Sequence, residues 1–131
     1  MSTLKTGKVK TTTIADELDT ESTAVTNVIN GSAKAWVNFD GTGTVAIRES
    51  FNVNSITDNG TANYTINFTN ALADANYALA SMQGHKAGDG AARAVVYDQD
   101  NTKTTTALQI RTVNDFVNYY DSGEVHVVIF R

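Results

Sequence analysis

The chain contains neither cysteine nor proline. Without thiols the fold relies on no disulfide and no thiolate metal site, and it is compatible with either redox compartment. Histidine is scarce, His85 and His126 being the two present, so a zinc site would need carboxylates recruited by the fold. Basic residues number ten against fourteen acidic ones, for a net charge of −4 and a pI near 4.9. They are dispersed, whereas phosphate binding needs a concentrated positive patch, so no nucleic-acid partner is expected. No apolar run approaches the roughly 18 residues of a membrane helix, and no charged-then-apolar leader resembles a signal peptide. No membrane insertion is expected. What remains is 131 residues that are 41% apolar, enough for one domain plus an extension.

The apolar residues alternate. From Ser50 the run Phe51, Val53, Ser55 against Asn52, Asn54, Ile56 has a period near two, which places Phe51 and Val53 on one face of a strand. Asp58-Asn59-Gly60 interrupts it, and Asn-Gly tolerates the positive φ that a tight hairpin needs. Alternation resumes with Tyr64, Ile66 and Phe68 against Thr65, Asn67 and Thr69. An antiparallel hairpin with one greasy face must pack on a second sheet. Strands are predicted at Tyr77 to Gln83, Arg93 to Asp98, Thr105 to Val113 and Glu124 to Phe130. Loops rich in Gly, Asp and Asn separate them at intervals suited to a sandwich. The predicted class is all-β: an antiparallel β-sandwich, jelly-roll or Ig-like, over residues 33–131, preceded by an extended N-terminal arm over residues 1–32.

Within the arm, Ser2 to Thr13 alternates Lys and Thr with few apolar groups. It suits an exposed extended segment or an edge strand. Leu4, Val9, Ile14 and Leu18 are its candidate assembly contacts. From Asp16 to Asn30, Val25, Val28 and Ile29 fall at helical spacing and Asn30-Gly31 offers a stop,. Threonine and valine are poor helix formers, so a strand or loop competes with the helix there. An arm too polar to fold alone becomes ordered by joining a sheet edge or wrapping another protein.

Few residues suggest chemistry. His126 alternates against Val125, Val127 and Ile129 and reads as a partly buried sheet residue. The loop Gly84-His85-Lys86-Ala87-Gly88-Asp89-Gly90 has neither the Walker nor the dinucleotide glycine spacing. Asp98 and Asp100 lie two apart in a turn, but the later Gly and bidentate Glu of a calcium loop are missing,. No Gly-x-Ser-x-Gly elbow is present,, and the strand-turn carboxylates form no recognisable acid pair. No catalytic site and no cofactor are expected. The matches to the glycosylation pattern at Asn30, Asn59, Asn63 and Asn67 read as sheet and turn composition, with Asn and Thr supplying hydrogen bonds across strands or subunits. Trp36, in Trp36-Val37-Asn38-Phe39, reads as a core or subunit-interface residue. Tyr119 and Tyr120 are adjacent and cannot both point inward on a strand. With His85, Lys86 and Asp89 they are the candidate receptor contacts.

The string AWVNFDGTGTVAIRESFNVNSITDNGTANYTINF, with its lead-in Gly31-Ser32-Ala33-Lys34, resembles a domain of tail-fibre and accessory structural proteins of tailed, especially marine-type, bacteriophages and prophages. The resemblance runs from Trp36 to Tyr77 and fades beyond Leu79. It implies a virion structural protein on the tail or capsid surface, made in the host cytoplasm, most simply a short tail fibre or fibre tip attached through the arm. It further implies a homotrimer, other phage tail or capsid proteins as partners, and a host-surface glycan or protein as receptor. A capsid-decorating or tail-connector protein is the alternative within that class, and a monomeric carbohydrate-binding β-sandwich the alternative outside it.

Overall fold

In a computed structural model the structure describes residues 13–15, 22–84, 92–97, 103–114 and 118–131. The chain divides into two compact units, Met1–Ser32 and Ala33–Arg131. In the first, β1 (Thr13–Ala15) pairs antiparallel with β2 (Ser22–Ala24), and α1 (Val25–Gly31) follows. The helix spans only the end of the expected segment and stops at the Asn30-Gly31 signal. It buries no residue and has no side-chain cap, which accords with its valine and threonine content. Leu4, Val9 and Leu18 lie outside the described residues. Ile14 lies in β1, its side chain outside that description.

The second unit is an antiparallel β-sandwich. One sheet has the order β4 (Ala46–Phe51), β3 (Ala33–Asp40), β11 (Val125–Phe130), β7 (Ala78–Gln83). The other runs β10 (Asn118–Tyr119), β9 (Ala107–Asn114), β6 (Asn63–Phe68), β5 (Val53–Asp58), with β8 (Arg93–Val96) also on β9. Alternation decides which side chains meet between the sheets. Ala35, Val37 and Phe39 of β3 and Val125, Val127 and Ile129 of β11 face Tyr64, Ile66 and Phe68 of β6 and Leu108 and Ile110 of β9, all buried. Phe39 meets Tyr64 edge-on at 5.2 Å and Phe68 meets Tyr77 at 6.1 Å, each such pair adding about 1 kcal/mol beyond its area. Gln83 fastens the sheets from within: its amide donates to the carbonyls of Ala94 and Val113 across the core, each at 2.7 Å.

The hairpin forms as β5 and β6, with Gly60 at φ +114° in its loop. Two expectations about it are corrected. Phe51 and Val53 do not share a face or a sheet. Asn52 adopts φ +56° between them, so β4 ends and the chain crosses to the opposite sheet as β5, leaving Phe51 exposed and Val53 buried. Inside β5 the register shifts between Val53 and Ser55. A bulged residue reverses the alternation, and Ile56 consequently turns toward the core beside Ile66.

The two outer faces differ in kind. On the β5-β6-β9 side the Asn67 amide donates to Ser55 Oγ at 3.1 Å and Thr57 Oγ1 at 2.9 Å. Asn59 reaches Thr65 Oγ1 at 2.8 Å, and Gln109 reaches Asn63 Oδ1 at 2.7 Å. This is an Asn/Thr hydrogen-bond ladder running across strands of one chain. On the other sheet Trp36 points outward, between Phe51 and Val128 as its cross-strand neighbours. Trp36 is therefore not a core residue, because Ala35, Val37 and Phe39 take the inward positions of β3.

Candidate functional site at one end of the sandwich

The last residues of β7, the first of β8 and β11, the end of β10 and the β3–β4 turn converge at one end of the sandwich. They border an open cavity of about 320 Å³ lined by Gly84, Arg93, Tyr120, Ser122, Gly123, Glu124 and the Thr42 turn. Its walls are held from beneath. Tyr120 accepts a hydrogen bond from the Thr112 hydroxyl on its carbonyl and donates its N–H to the Thr112 carbonyl at 3.2 Å. Asp121 Oδ1 accepts the Ala62 N–H at 2.6 Å and lies 2.7 Å from the Tyr64 hydroxyl, which also lies 2.9 Å from the Gly41 carbonyl. Burial, then the hydrogen bond to the Asp121 carboxylate, raises the Tyr64 phenol well above the usual range, so it stays a proton donor. The Ser122 carbonyl accepts the Gly41 N–H at 2.9 Å. Each residue from Tyr120 to Ser122 is thus pinned to the core.

The opposite wall is the Thr42 turn and Gly123, held by a charged pair behind them. Asp40 Oδ1 accepts the Thr42 hydroxyl at 2.6 Å and the Thr42 N–H at 2.9 Å, and Arg48 donates to Asp40 Oδ2 at 3.1 Å and to the Gly123 carbonyl at 2.6 Å. The Thr42 bonds, and secondarily the Arg48 charge, hold the Asp40 carboxyl below its usual range. The Arg93 guanidinium sits 4.0 Å from the centre of the Tyr120 ring, a cation–π stack that orders the ring. Such a site offers a stacked ring, a carboxylate and backbone groups, which suits binding of a polar ligand by hydrogen bonds.

Tyr120 and Gly84, the residue before the His85 to Asp89 loop, line the same cavity. Tyr119 does not join them. It is 58% exposed on the outer face of its sheet, with Arg111 4.9 Å from its ring centre. His85, Lys86, Asp89, Asp98 and Asp100 lie outside the described residues. His126 stands half-buried on the outer face of the four-stranded sheet, 3.2 Å from Glu124. Among the described residues no group of three or more His, Asp or Glu side chains could hold a metal ion, and no helix is long and apolar enough to cross a membrane. Arg93 and Arg111 were not singled out from the sequence. Arg111 lies on the strand next to that of Tyr119, which only the register reveals, and Arg93 meets Tyr120 only through the way the sandwich closes.

Fold and site together define an antiparallel β-sandwich with an open cavity at one end, lined by Arg93, Tyr120 and Glu124 among others. In comparisons with protein-family models, characterised proteins and solved structures, nothing matches this chain.

Proposed function

We propose that the chain is a non-catalytic structural subunit of a tailed-phage or prophage particle, a short tail fibre or fibre tip. In this reading residues 1–32 attach it to the particle and the cavity end contacts the host surface. The observation that carries the reading is the pinning of Tyr120, Asp121 and Ser122 to Thr112, Tyr64 and Gly41. A contact surface fixed in advance loses little entropy on binding, and the sheets behind it tolerate variation in the loops around it. The resemblance of the Trp36 to Tyr77 string adds the virion setting.

The test is saturable retention of the labelled chain on a panel of whole bacterial cells, repeated with Arg93→Ala and Tyr120→Ala. Loss of retention at unchanged melting temperature supports the reading. Retention unaffected by either change moves the contact elsewhere, and the absence of retention on every cell type removes the host-contact role. A second reading, a free carbohydrate-binding module, is favoured by the exposure of Tyr119, whose ring could stack on a pyranose. It predicts binding to isolated polysaccharide that is lost with Tyr119→Ala and kept with Tyr120→Ala.

A further inference from the structure

Two Asn-Gly pairs fall among the described residues, Asn30-Gly31 and Asn59-Gly60. An asparagine before glycine is labile in water, because no Cβ on the following residue hinders its backbone nitrogen from reaching the asparagine Cγ, and glycine allows the conformation this requires. In a folded chain the reaction depends on how firmly those two atoms are held apart. At the β5–β6 hairpin they are held firmly. The Gly60 N–H donates to Asp58 Oδ1 at 2.9 Å and the Asn59 amide to Thr65 Oγ1 at 2.8 Å. The Asn59 N–H donates to the Asn63 carbonyl at 2.8 Å, and the Gly60 carbonyl accepts the Asn63 N–H at 3.0 Å.

Asn30 and Gly31 close the seven-residue α1 instead. Both are exposed. Side-chain hydrogen bonds of this segment run from Asn27 to Thr23 and from Ser32 to the Val28 carbonyl, and leave the Asn30 amide unengaged among the described residues. A helix this short, which buries no residue and has no side-chain cap, frays easily in its last turn. We propose that Asn30 is a site of spontaneous deamidation and that the hairpin bonds spare Asn59. The Gly31 nitrogen loses its proton to water and attacks Asn30 Cγ. As that N–Cγ bond forms, the Cγ–Nδ2 bond breaks, and Nδ2 leaves as ammonia with a proton from water. One water then opens the five-membered succinimide. Cleavage between the Gly31 nitrogen and Cγ gives aspartate. Cleavage between that nitrogen and the Asn30 carbonyl carbon gives isoaspartate, whose main chain runs through Cβ and Cγ and is one carbon longer. In sum one water is consumed and one ammonia released, with no oxidant and no enzyme. The product adds one negative charge to a chain of net −4 and alters the backbone just before the unit boundary at Ser32. A covalent change of this kind acts through both charge and chain geometry, and its chemistry does not rest on the attachment reading of residues 1–32.

The experiment is incubation of the full chain in warm, mildly alkaline buffer, with a parallel incubation in urea. Peptide-resolved mass spectrometry reads the exchange of the amide NH2 for OH, and isoaspartate is detected in the same peptides. In the folded chain Asn30 should convert at least tenfold faster than Asn59, and in urea the two should convert at similar rates. Gly31→Ala, whose added Cβ meets nothing within 4 Å, should slow Asn30 at least tenfold at unchanged melting temperature. Asp58→Ala combined with Thr65→Val frees the Asn59 pair and should bring its rate toward that of Asn30. Should that variant unfold, the comparison of folded and urea-treated wild type carries the test alone. Equal rates at the two sites in the folded chain overturn the proposal. So does an Asn30 that converts in urea but not when folded, or an Asn59 as slow in urea as in the fold.

Discussion

Asn52 Oδ1 accepts the Asn70 N–H at 2.8 Å, while the Asn52 amide donates to the carbonyls of Lys34 at 3.0 Å and Asn70 at 3.2 Å. These bonds hold the single residue between β4 and β5, where the chain passes from the four-stranded sheet to the five-stranded one, at φ +56°. Asparagine enters the left-handed region more readily than other side chains, and its amide replaces the sheet bonds that the crossover interrupts.

Replacing Asn52 separates the two contributions. Asn52→Gly keeps the backbone conformation and removes the side-chain bonds, at a cost of about 1–2 kcal/mol. Asn52→Ala adds left-handed strain of about 1–2 kcal/mol to that loss. Urea unfolding should therefore rank wild type, Gly and Ala in descending stability. Equal stability of the Gly and Ala variants would mean that the φ imposes no strain.

That crossover also marks the limit of what the sequence shows. The hairpin, and β7, β8, β9 and β11 to within a few residues, follow from alternation and Gly/Asn turns, because those signals are local. Phe51 and Val53 look like neighbours on one face, since nothing in Phe51-Asn52-Val53 distinguishes a left-handed Asn from an extended one. Ile56 changes face because of a bulge, a choice made by pairing with β6. In β3 alternation separates Trp36 from Ala35, Val37 and Phe39 without saying which set is inward. Residue size suggests the tryptophan, and the opposing sheet selects the other set. Tyr120 was legible as a candidate, but the cavity joining it to Arg93 and Gly84 exists only once the two sheets close.

In acid, two surface carboxylates should be felt. Arg131 hydrogen bonds, then the Asn76 N–H, lower the Asp74 pKa, and Thr42 does the same for Asp40. A carboxylate lowered on folding stabilises the fold above its unfolded pKa, near 3.8 here, and that stability disappears as pH falls through the folded value. The melting temperature should fall below about pH 4, and Asp74→Asn should flatten that acid limb. An unchanged limb in the variant would show that the Arg131 pair contributes nothing.

Alkali acts in the opposite sense. Burial, and secondarily the neighbouring Tyr97, pushes the Tyr77 phenol up to about 12, and Tyr64 is raised further by burial and Asp121. A phenol raised on folding contributes stability that is complete below its unfolded pKa of about 10 and is lost as pH rises through the folded value. Stability should decline from pH 10 upward. Of the five tyrosines, two should ionise late, in step with unfolding rather than before it. Phenolate absorbance followed alongside circular dichroism tests this, and full ionisation of all five before any unfolding would contradict it.

Gly41 and Tyr64 give the sharpest steric test. A Cβ on Gly41 would lie 2.5 Å from the Tyr64 hydroxyl oxygen and 2.8 Å from its Cζ, distances that real side chains do not tolerate. Tyr64 is fully buried, edge-on to Phe39, and bonded to Asp121, so it has no room to retreat. Gly41→Ala should cost about 1–3 kcal/mol, the range for overpacking a core. Tyr64→Phe should cost about 1–2 kcal/mol through the lost hydroxyl bonds. The double variant should be more stable than the sum of the two losses predicts, because removing the hydroxyl removes the closest contact, while the clash at Cζ keeps it below Tyr64→Phe alone. Strict additivity in denaturant unfolding would show that the strand moves away rather than pressing on the ring. Since Asp121 follows Tyr120 directly, Tyr64→Phe should also loosen the cavity wall. Tyr77→Phe is the matched control, because its hydroxyl bonds the Thr104 and Ala107 carbonyls and touches no residue of that wall. Cell retention should weaken in Tyr64→Phe and hold in Tyr77→Phe, and equal loss in both would mean that retention follows overall stability and not the wall.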